Sequence, residues 1–326
     1  FRYRERSNES ALKYFLTGSF ASAIMLYGIS LVYAQAGATN YAEAGRVLGG
    51  QGATAGVLLA VFLVAIGLAF KVSAAPFHMW TPDVYQGAPT PVAACFSVGP
   101  KAAAFAAFIA AFIVAFPGTV KEWGILFIVL SIATMLVGNL YALVQTNVKR
   151  MLAFSSIAHA GYLLTGLGAM GYSGNSYPSR GMLVYLAAYT FMNLGAFGIL
   201  AYLKTQMPDK FVYSLKQFAG LGRRSPWAAV LFSLFLLSLT GIPGTAGFIG
   251  KFYVFGGVVY ANLWWLAVIG VLLSAVSAYY YLRVIIQMFF KEPEEEYAVK
   301  EPIAGGMAMA LSISAIATLV IGIVPS

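Results

Sequence analysis

The chain alternates apolar runs long enough to cross a bilayer with short polar interruptions, and that rhythm leaves little choice of fold. A helix needs about 20 mostly apolar residues to span a hydrocarbon core of roughly 30 Å. On that ruler nine candidates stand out, at 12–33, 55–75 with a second piece at 76–88, 91–116, 123–144, 150–171, 181–203, 226–255, 263–289 and 303–324. Alternation of period two is absent, which argues against a barrel. The expected fold is therefore all-α, a polytopic transmembrane helix bundle of about nine crossings. Composition agrees, with 60% hydrophobic and 10% charged residues against about 45–50% and about 25% in soluble domains. Such apolarity excludes a disordered chain, and the single cysteine, Cys95, excludes an internal disulfide. The chain opens on FRYRER with neither an initiator methionine nor a secretory signal, and it reads as a piece of a longer protein.

An odd number of crossings distributes the loops alternately over two faces. Face A receives Arg2, Arg4, Arg6, Lys13, Lys149, Arg150, Lys204, Lys210, Lys216, Arg223, Arg224, Arg283, Lys291 and Lys300; face B receives only Arg46, Lys121 and Arg180. Lys and Arg are retained on the cytoplasmic side, so face A and the start of the piece are expected there, and its end on the outer face. The formal charge of +9 is then a topology signal, and nucleic-acid binding is not expected.

Three lysines remain, Lys71, Lys101 and Lys251, and all lie inside spans. Each costs roughly 2.5–3.5 kcal/mol near the middle of a spanning helix. Every acidic residue falls in a loop or at a span end, so no membrane-embedded carboxylate in this sequence offsets them. Snorkelling is the structural alternative. Lys101 lies roughly 15 Å from face A at about 1.5 Å per residue, too deep for easy escape. The other two adjoin breaks. In GLAFKVSAAPFHMWTPDVYQGAPTP, Pro76 interrupts the helix carrying Lys71; in GIPGTAGFIGKFYVF, glycines recur every three residues around Pro243 just before Lys251. Broken helices at membrane depth survive only inside protein or beside a polar cavity, so two of them argue for an internal hydrated path. The runs 12–116 and 181–289 each have an interrupted middle helix bearing a lysine, and they begin on opposite faces, as an inverted repeat requires.

A desolvated ammonium releases its proton more readily than one in water. A row of such groups can pass protons if hydroxyls or water bridge them. His159, in SSIAHAGY, is the natural intermediate. His78, beside the first break, is a weaker relay candidate that packing explains equally well. Ser73, Ser155, Ser156, Thr240 and Thr245 could hold water or bond back to their own helices. The glycines of GLGAMG at 166–171 match a dinucleotide pattern but follow no strand, and they are set aside. No Walker loop, cysteine pair or HExxH motif occurs, so neither a metal site nor a redox centre is expected on this chain. EPEEE at 292–296 reads as a solvated loop, and FVYSLKQFAGLG at 211–222 as an interfacial connector or a docking segment for a partner.

Together GLAFKVSAAPFHMWTPDVYQGAPTPV, GNLYALVQTNVKRMLAFSSIAHAGYLL and LTGIPGTAGFIGKFYVF closely resemble the antiporter-like membrane subunits of bacterial NADH-quinone oxidoreductase, respiratory complex I. The related subunits of multisubunit sodium/proton antiporters share the broken-helix lysines but are less similar in VYQGAPTPV and GFIGKFY. The resemblance implies a fourteen-helix subunit with two inverted five-helix repeats, of which this piece supplies helices six to fourteen. Residues 1–144 would then complete the first repeat and add the first helix of the second, 145–290 would hold the remainder of the second, and 291–326 a cytoplasmic loop and the last helix. It implies that Lys71 is the switching lysine, paired with a glutamate on a helix before Phe1, that Lys101 and His159 bridge, and that Lys251 releases the proton outward. It places NADH, flavin, iron–sulfur clusters and quinone on other subunits, with no cofactor on this chain. The partners it implies are the other membrane-arm subunits, in the bacterial inner membrane.

Overall fold

The computed structural model describes residues 5–207, 211–293 and 303–324. The predicted face-A charges at Arg2, Arg4, Lys210 and Lys300, and most of the acidic 292–296 run, lie outside the described residues. Helices follow one another as α1 (Glu5–Ala36), α2 (Tyr41–Gln51), α3 (Ala55–Val72), α4 (Trp80–Gly87), α5 (Thr90–Ala110), α6 (Val120–Leu143), α7 (Val148–Ser173), α8 (Pro178–Gln206), α9 (Leu221–Arg224), α10 (Pro226–Thr240), α11 (Ala246–Tyr260), α12 (Trp264–Phe290) and α13 (Gly305–Ile323). Eight are long and apolar enough to cross a membrane, while α10 and α11 are the two short halves of another crossing. The nine expected crossings are thus present among the described residues. Helix α2, between the first two, has its N-terminal amides capped by the Asn40 side chain and was not anticipated.

Both breaks fall where the sequence places them. Helix α3 stops at Ser73, which adopts a left-handed conformation (φ 66°), and the chain resumes as α4. Helix α10 stops at Gly241 (φ 93°), with Gly244 also left-handed (φ 85°). The glycine run thus has two uses: Gly241 and Gly244 make the turn, whereas Gly247 lets the α11 backbone press on the Ser238 carbonyl. Lys71 precedes its break and Lys251 follows its own. Because the two crossings run in opposite directions, both lysines lie on the face-B side of their breaks.

Helix α7 is the axis of the bundle. It has the lowest mean hydropathy of the eight long spans, 1.2, yet its apolar window is wholly buried. In a bilayer the polar and small residues turn inward, because lipid solvates leucine as well as protein does. The outward face of the bundle is correspondingly greasy: Phe15, Phe20 and Leu26 of α1 and Leu272 of α12 are all more than half exposed. Along α6, Gly124 and Gly138 meet Gly171 and Ala158 of α7, and Met135 meets Gly161. A Cβ added at Gly124 would stand 2.7 Å from the Gly171 carbonyl carbon, and one at Gly161 2.7 Å from the Met135 amide nitrogen. Close helix approach is therefore the main packing device here.

The 211–222 segment departs from expectation. It does not lie free along the interface: Phe211 and Phe218 are fully buried, a short 3₁₀ turn covers Leu215–Phe218, and Asn147 pairs with Ser214 across an isolated antiparallel bridge. It docks on its own bundle because its aromatic rings reach the α8, α10 and α12 core. Gly124→Val should force α6 from α7 and cost about 1–3 kcal/mol, read as a lower thermal midpoint of the full-length protein in detergent; an unchanged midpoint would contradict the close approach.

Candidate functional site

The buried lysines find acceptors that carry no charge. Lys101, 3% exposed, projects from α5 and donates to the backbone carbonyl (2.7 Å) and hydroxyl (2.6 Å) of Ser156 on α7. Tyr189 on α8 donates to the same hydroxyl at 2.8 Å. Pro100 precedes Lys101 inside α5 and offers no backbone donor to the Phe96 carbonyl, so the helix is loosened just there. Lys251, 6% exposed, reaches back across its own break and donates to the carbonyls of Leu239 (3.0 Å) and Thr240 (2.7 Å) and to Ser274 Oγ (2.6 Å). Those carbonyls end α10, where a helix leaves its last acceptors unpaired. The break thus creates the site that holds the ammonium.

Between the two lysines runs a row of hydroxyls. His159, 1% exposed, meets the Tyr185 hydroxyl through Nδ1 at 2.5 Å and the Tyr281 hydroxyl through Nε2 at 3.3 Å. Tyr281 also shares a short hydrogen bond with Ser155, and its ring lies tilted against that of Tyr280 with centroids 4.5 Å apart. Tyr280 donates to Asn139 Oδ1 at 3.1 Å, and Asn139 Nδ2 donates to the Tyr162 hydroxyl at 3.2 Å. The Tyr162 ring then lies 5.2 Å from the Lys251 ammonium. On the other side His159 is joined to the Lys101 group through one turn of α7 and a 5.1 Å ring contact with Tyr189. Lys101, His159 and Lys251 are therefore brought together by one polar seam.

Lys71 and His78 stand apart from it. Lys71 is half-buried, with its ammonium 5.8 Å from the ring centroids of both Tyr14 and Phe70, and no carboxylate faces it among the described residues. His78 is half-buried, and its buried Nδ1 has no hydrogen-bond partner among the described residues. The expected hydroxyls divide. Ser155 and Ser156 belong to the seam, Ser73 accepts from Thr81 at 2.7 Å at the first break, and Thr240 and Thr245 bond back to their own backbone. Lys149, read from sequence as a face-A surface charge, is 1% exposed and donates to the Ala88 carbonyl at 2.6 Å just beyond α4. Beside it Arg150 and Lys13 both pair with Asp83, at 2.6 and 2.8 Å, tying α4 to α7 and α1.

Sequence reasoning missed Tyr185, Tyr189, Tyr281, Tyr280, Tyr162, Asn139 and Ser274. A partial signal existed: Tyr185, Tyr189 and Asn193 recur every four residues along α8, which places them on one helix face. Aromatic residues at that spacing usually pack in a core, and only their partners on α7 reveal the hydroxyl row.

The family model described as NADH:quinone oxidoreductase/Mrp antiporter, TM matches residues 1–277. The chain belongs to this family. It is 48% identical over 324 residues to NADH-quinone oxidoreductase subunit N of Trichlorobacter lovleyi and 47% identical over 322 residues to subunit N 1 of Solibacter usitatus, in each case covering 98% of this chain and 65% of the relative. The chain thus spans slightly less than two thirds of those relatives' length. A chain of respiratory complex I from Thermus thermophilus superposes with a TM-score of 0.80 at 37% identity, covering 99% of this chain and 68% of that one. A chain of the Mrp complex from Dietzia sp. shares the fold at a TM-score of 0.83 and 23% identity, covering 96% and 65%. The fold expected from sequence, a membrane bundle of the antiporter-like family with broken helices, is the one found.

The two ring nitrogens of His159 should respond separately to loss of their partners. Tyr281→Phe should shift the ¹⁵N resonance of Nε2 and leave Nδ1 near its original position, and Tyr185→Phe the reverse; with only two histidines in the chain, a His78→Gln background assigns the signals. Equal responses to both substitutions would contradict the arrangement.

Proposed function

We propose that this chain is a proton-translocating membrane-arm subunit of an NADH-quinone oxidoreductase in the bacterial inner membrane, with face A cytoplasmic. The observation that carries this reading is the polar seam from Lys101 through Ser156, Tyr189, His159, Tyr281, Tyr280, Asn139 and Tyr162 to Lys251. Each lysine rests on neutral oxygens, so neither is locked as a permanent ion pair, and each can exist with or without its proton. Hydroxyls both donate and accept, so they can pass a proton by exchange of bonds, and water would bridge the ring contacts at Tyr189–His159, Tyr281–Tyr280 and Tyr162–Lys251 and the Asn139 amide. Identities of 48% and 47% to two subunits N, against 23% to the Mrp chain, favour this reading over a subunit of a sodium/proton antiporter.

Lys71 would act as the switch that the redox reaction in other subunits controls, its charge altering the field felt by Lys101. Lys101 and His159 would pass the proton along the seam, and Lys251 would release it toward face B. His78, whose Nδ1 lies beside the first break, would act at most as an accessory relay. The chemistry of NADH, flavin, iron–sulfur clusters and quinone would reside in other subunits of the assembly, which would also be its partners in the bilayer. Residues 1–144 and 145–290 would carry the two repeats, with 291–326 closing the bundle.

Lys101→Ala or Lys251→Ala in the assembled complex should keep most reductase activity with artificial electron acceptors and lose proton pumping into vesicles, by about 10²-fold if each is a relay group; normal pumping in both would refute the roles given. Lys71→Arg should preserve charge and assembly yet depress pumping, because a guanidinium does not deprotonate. Pumping that answers to an imposed sodium gradient without NADH would favour the antiporter reading instead.

A further inference from the structure

One buried side chain lies between the first break and the polar seam. Tyr85, near the end of α4, is fully buried, and its ring meets Trp80 edge-on at 6.3 Å and Phe197 of α8 at 6.1 Å. Its hydroxyl makes no hydrogen bond among the described residues. The polar groups around that hydroxyl are Ser156 on α7, Tyr189 on α8 and Tyr14 on α1. A buried phenol is ordinarily paired, as Tyr162, Tyr185, Tyr189, Tyr280 and Tyr281 all are in this interior.

A count of hydrogens at Ser156 gives the Tyr85 hydroxyl a use. A serine hydroxyl has two lone pairs and one hydrogen. Both lone pairs of Ser156 are taken, by Lys101 Nζ at 2.6 Å and by the Tyr189 hydroxyl at 2.8 Å. Its hydrogen is left over. Ser97, Ser131 and Thr165 donate theirs to a carbonyl of their own helix, whereas Ser156 makes no such bond among the described residues. The unpaired Tyr85 oxygen is the acceptor at hand. On its other side Tyr85 joins the aromatic cluster beside Lys71. Trp80 packs on Tyr14 at 5.0 Å and on Phe70 at 5.3 Å, and the Lys71 ammonium lies 5.8 Å from both of those rings. Rings in place of water leave the field of that ammonium poorly screened.

We propose that Tyr85 is the positioning residue through which Lys101 responds to the charge of Lys71. The proposal rests on the translocation reading above. A phenolic hydrogen can lie to either side of its C–O bond. With Lys71 neutral, the Tyr85 oxygen accepts from Ser156, and Ser156 keeps both lone pairs for Lys101 and Tyr189. With Lys71 charged, the Tyr85 hydrogen turns away from the ammonium and toward Ser156, which then faces three donors with two lone pairs. Lys101 gives up the hydroxyl and keeps the Ser156 carbonyl alone. A change of charge at the first break thus becomes a change of hydrogen bonding at the next lysine, with no proton passing between them.

Two measurements on the full-length chain in its membrane assembly test it. 3-Fluorotyrosine at position 85 reports on the hydroxyl by ¹⁹F NMR. Its resonance should differ between Lys71→Met and Lys71→Arg, which fix the neutral and the charged state, while 3-fluorotyrosine at position 162 should give the same resonance in both. A position-85 signal that ignores the charge, or an equal response at position 162, overturns the proposal without reference to activity. In vesicles, Tyr85→Phe keeps the ring, removes the hydroxyl and should slow proton translocation about tenfold, the size of an ordinary coupling between sites. 4-Aminophenylalanine at the same position, which donates and accepts, should restore most of the rate. In a Lys71→Arg background, where the charge no longer changes, Tyr85→Phe should cause no further loss; a further tenfold loss would mean that Tyr85 acts on packing alone, and the proposal would fall. Should Tyr85→Phe fail to assemble, the fluorine measurement decides by itself. Lys101→Ala separates the two levels: if it stops translocation while Tyr85→Phe does not, the role of Tyr85 is wrong and the translocation reading stands; if it too has no effect, the translocation reading falls first.

Discussion

Two ammonium groups held at membrane depth by neutral oxygens organise this protein. A buried cation demands strong acceptors, and in hydrocarbon the missing solvation is supplied by protein or not at all. Lys251 takes two carbonyls and a hydroxyl, and Lys101 one of each from Ser156. Among the described residues the ion pairs gather instead at face A, where Asp83 meets Lys13 and Arg150, while Glu43 and Glu122 sit at helix starts on face B. That division leaves the interior without fixed negative charge and the surface cluster to anchor the helices.

The breaks in the spans follow from the same demand. An unbroken helix has spent its carbonyls on its own amides, whereas the end of α10 has free ones to offer an incoming lysine. Gly241 and Gly244 turn the chain there, and the lysine that follows satisfies what the turn exposes. At the first break the arrangement differs: Ser73 turns the chain, Thr81 and Thr134 satisfy local groups, and Lys71 is left facing the rings of Tyr14 and Phe70. The two breaks thus carry unlike lysine environments, one built of carbonyls and a hydroxyl and one of aromatic rings.

Close packing completes the seam. Glycines on α6 and α7 bring the backbones together, so that the short polar side chains of the least apolar span, α7, reach tyrosines on α8 and α12. Wider spacing would leave Ser155, Ser156 and His159 to bond within their own helix, and the hydroxyl row would be interrupted.

Much of this was legible in the residues. Apolar run lengths gave nine crossings, proline and glycine marked both breaks, and charge in apolar surroundings singled out Lys71, Lys101 and Lys251. Their cost is local, set by a side chain and a slab of lipid, so it needs no knowledge of neighbours. What depended on tertiary structure was every partnership across helices: that Lys149 turns inward instead of joining the surface charges, that Lys71 and His78 stand outside the seam, that the aromatic 211–222 segment folds onto the bundle, and that tyrosines spaced like core residues line a hydroxyl path. A hydrogen bond between α7 and α12 joins residues more than a hundred positions apart, and helical periodicity reports which face a side chain occupies but not which helix that face will meet.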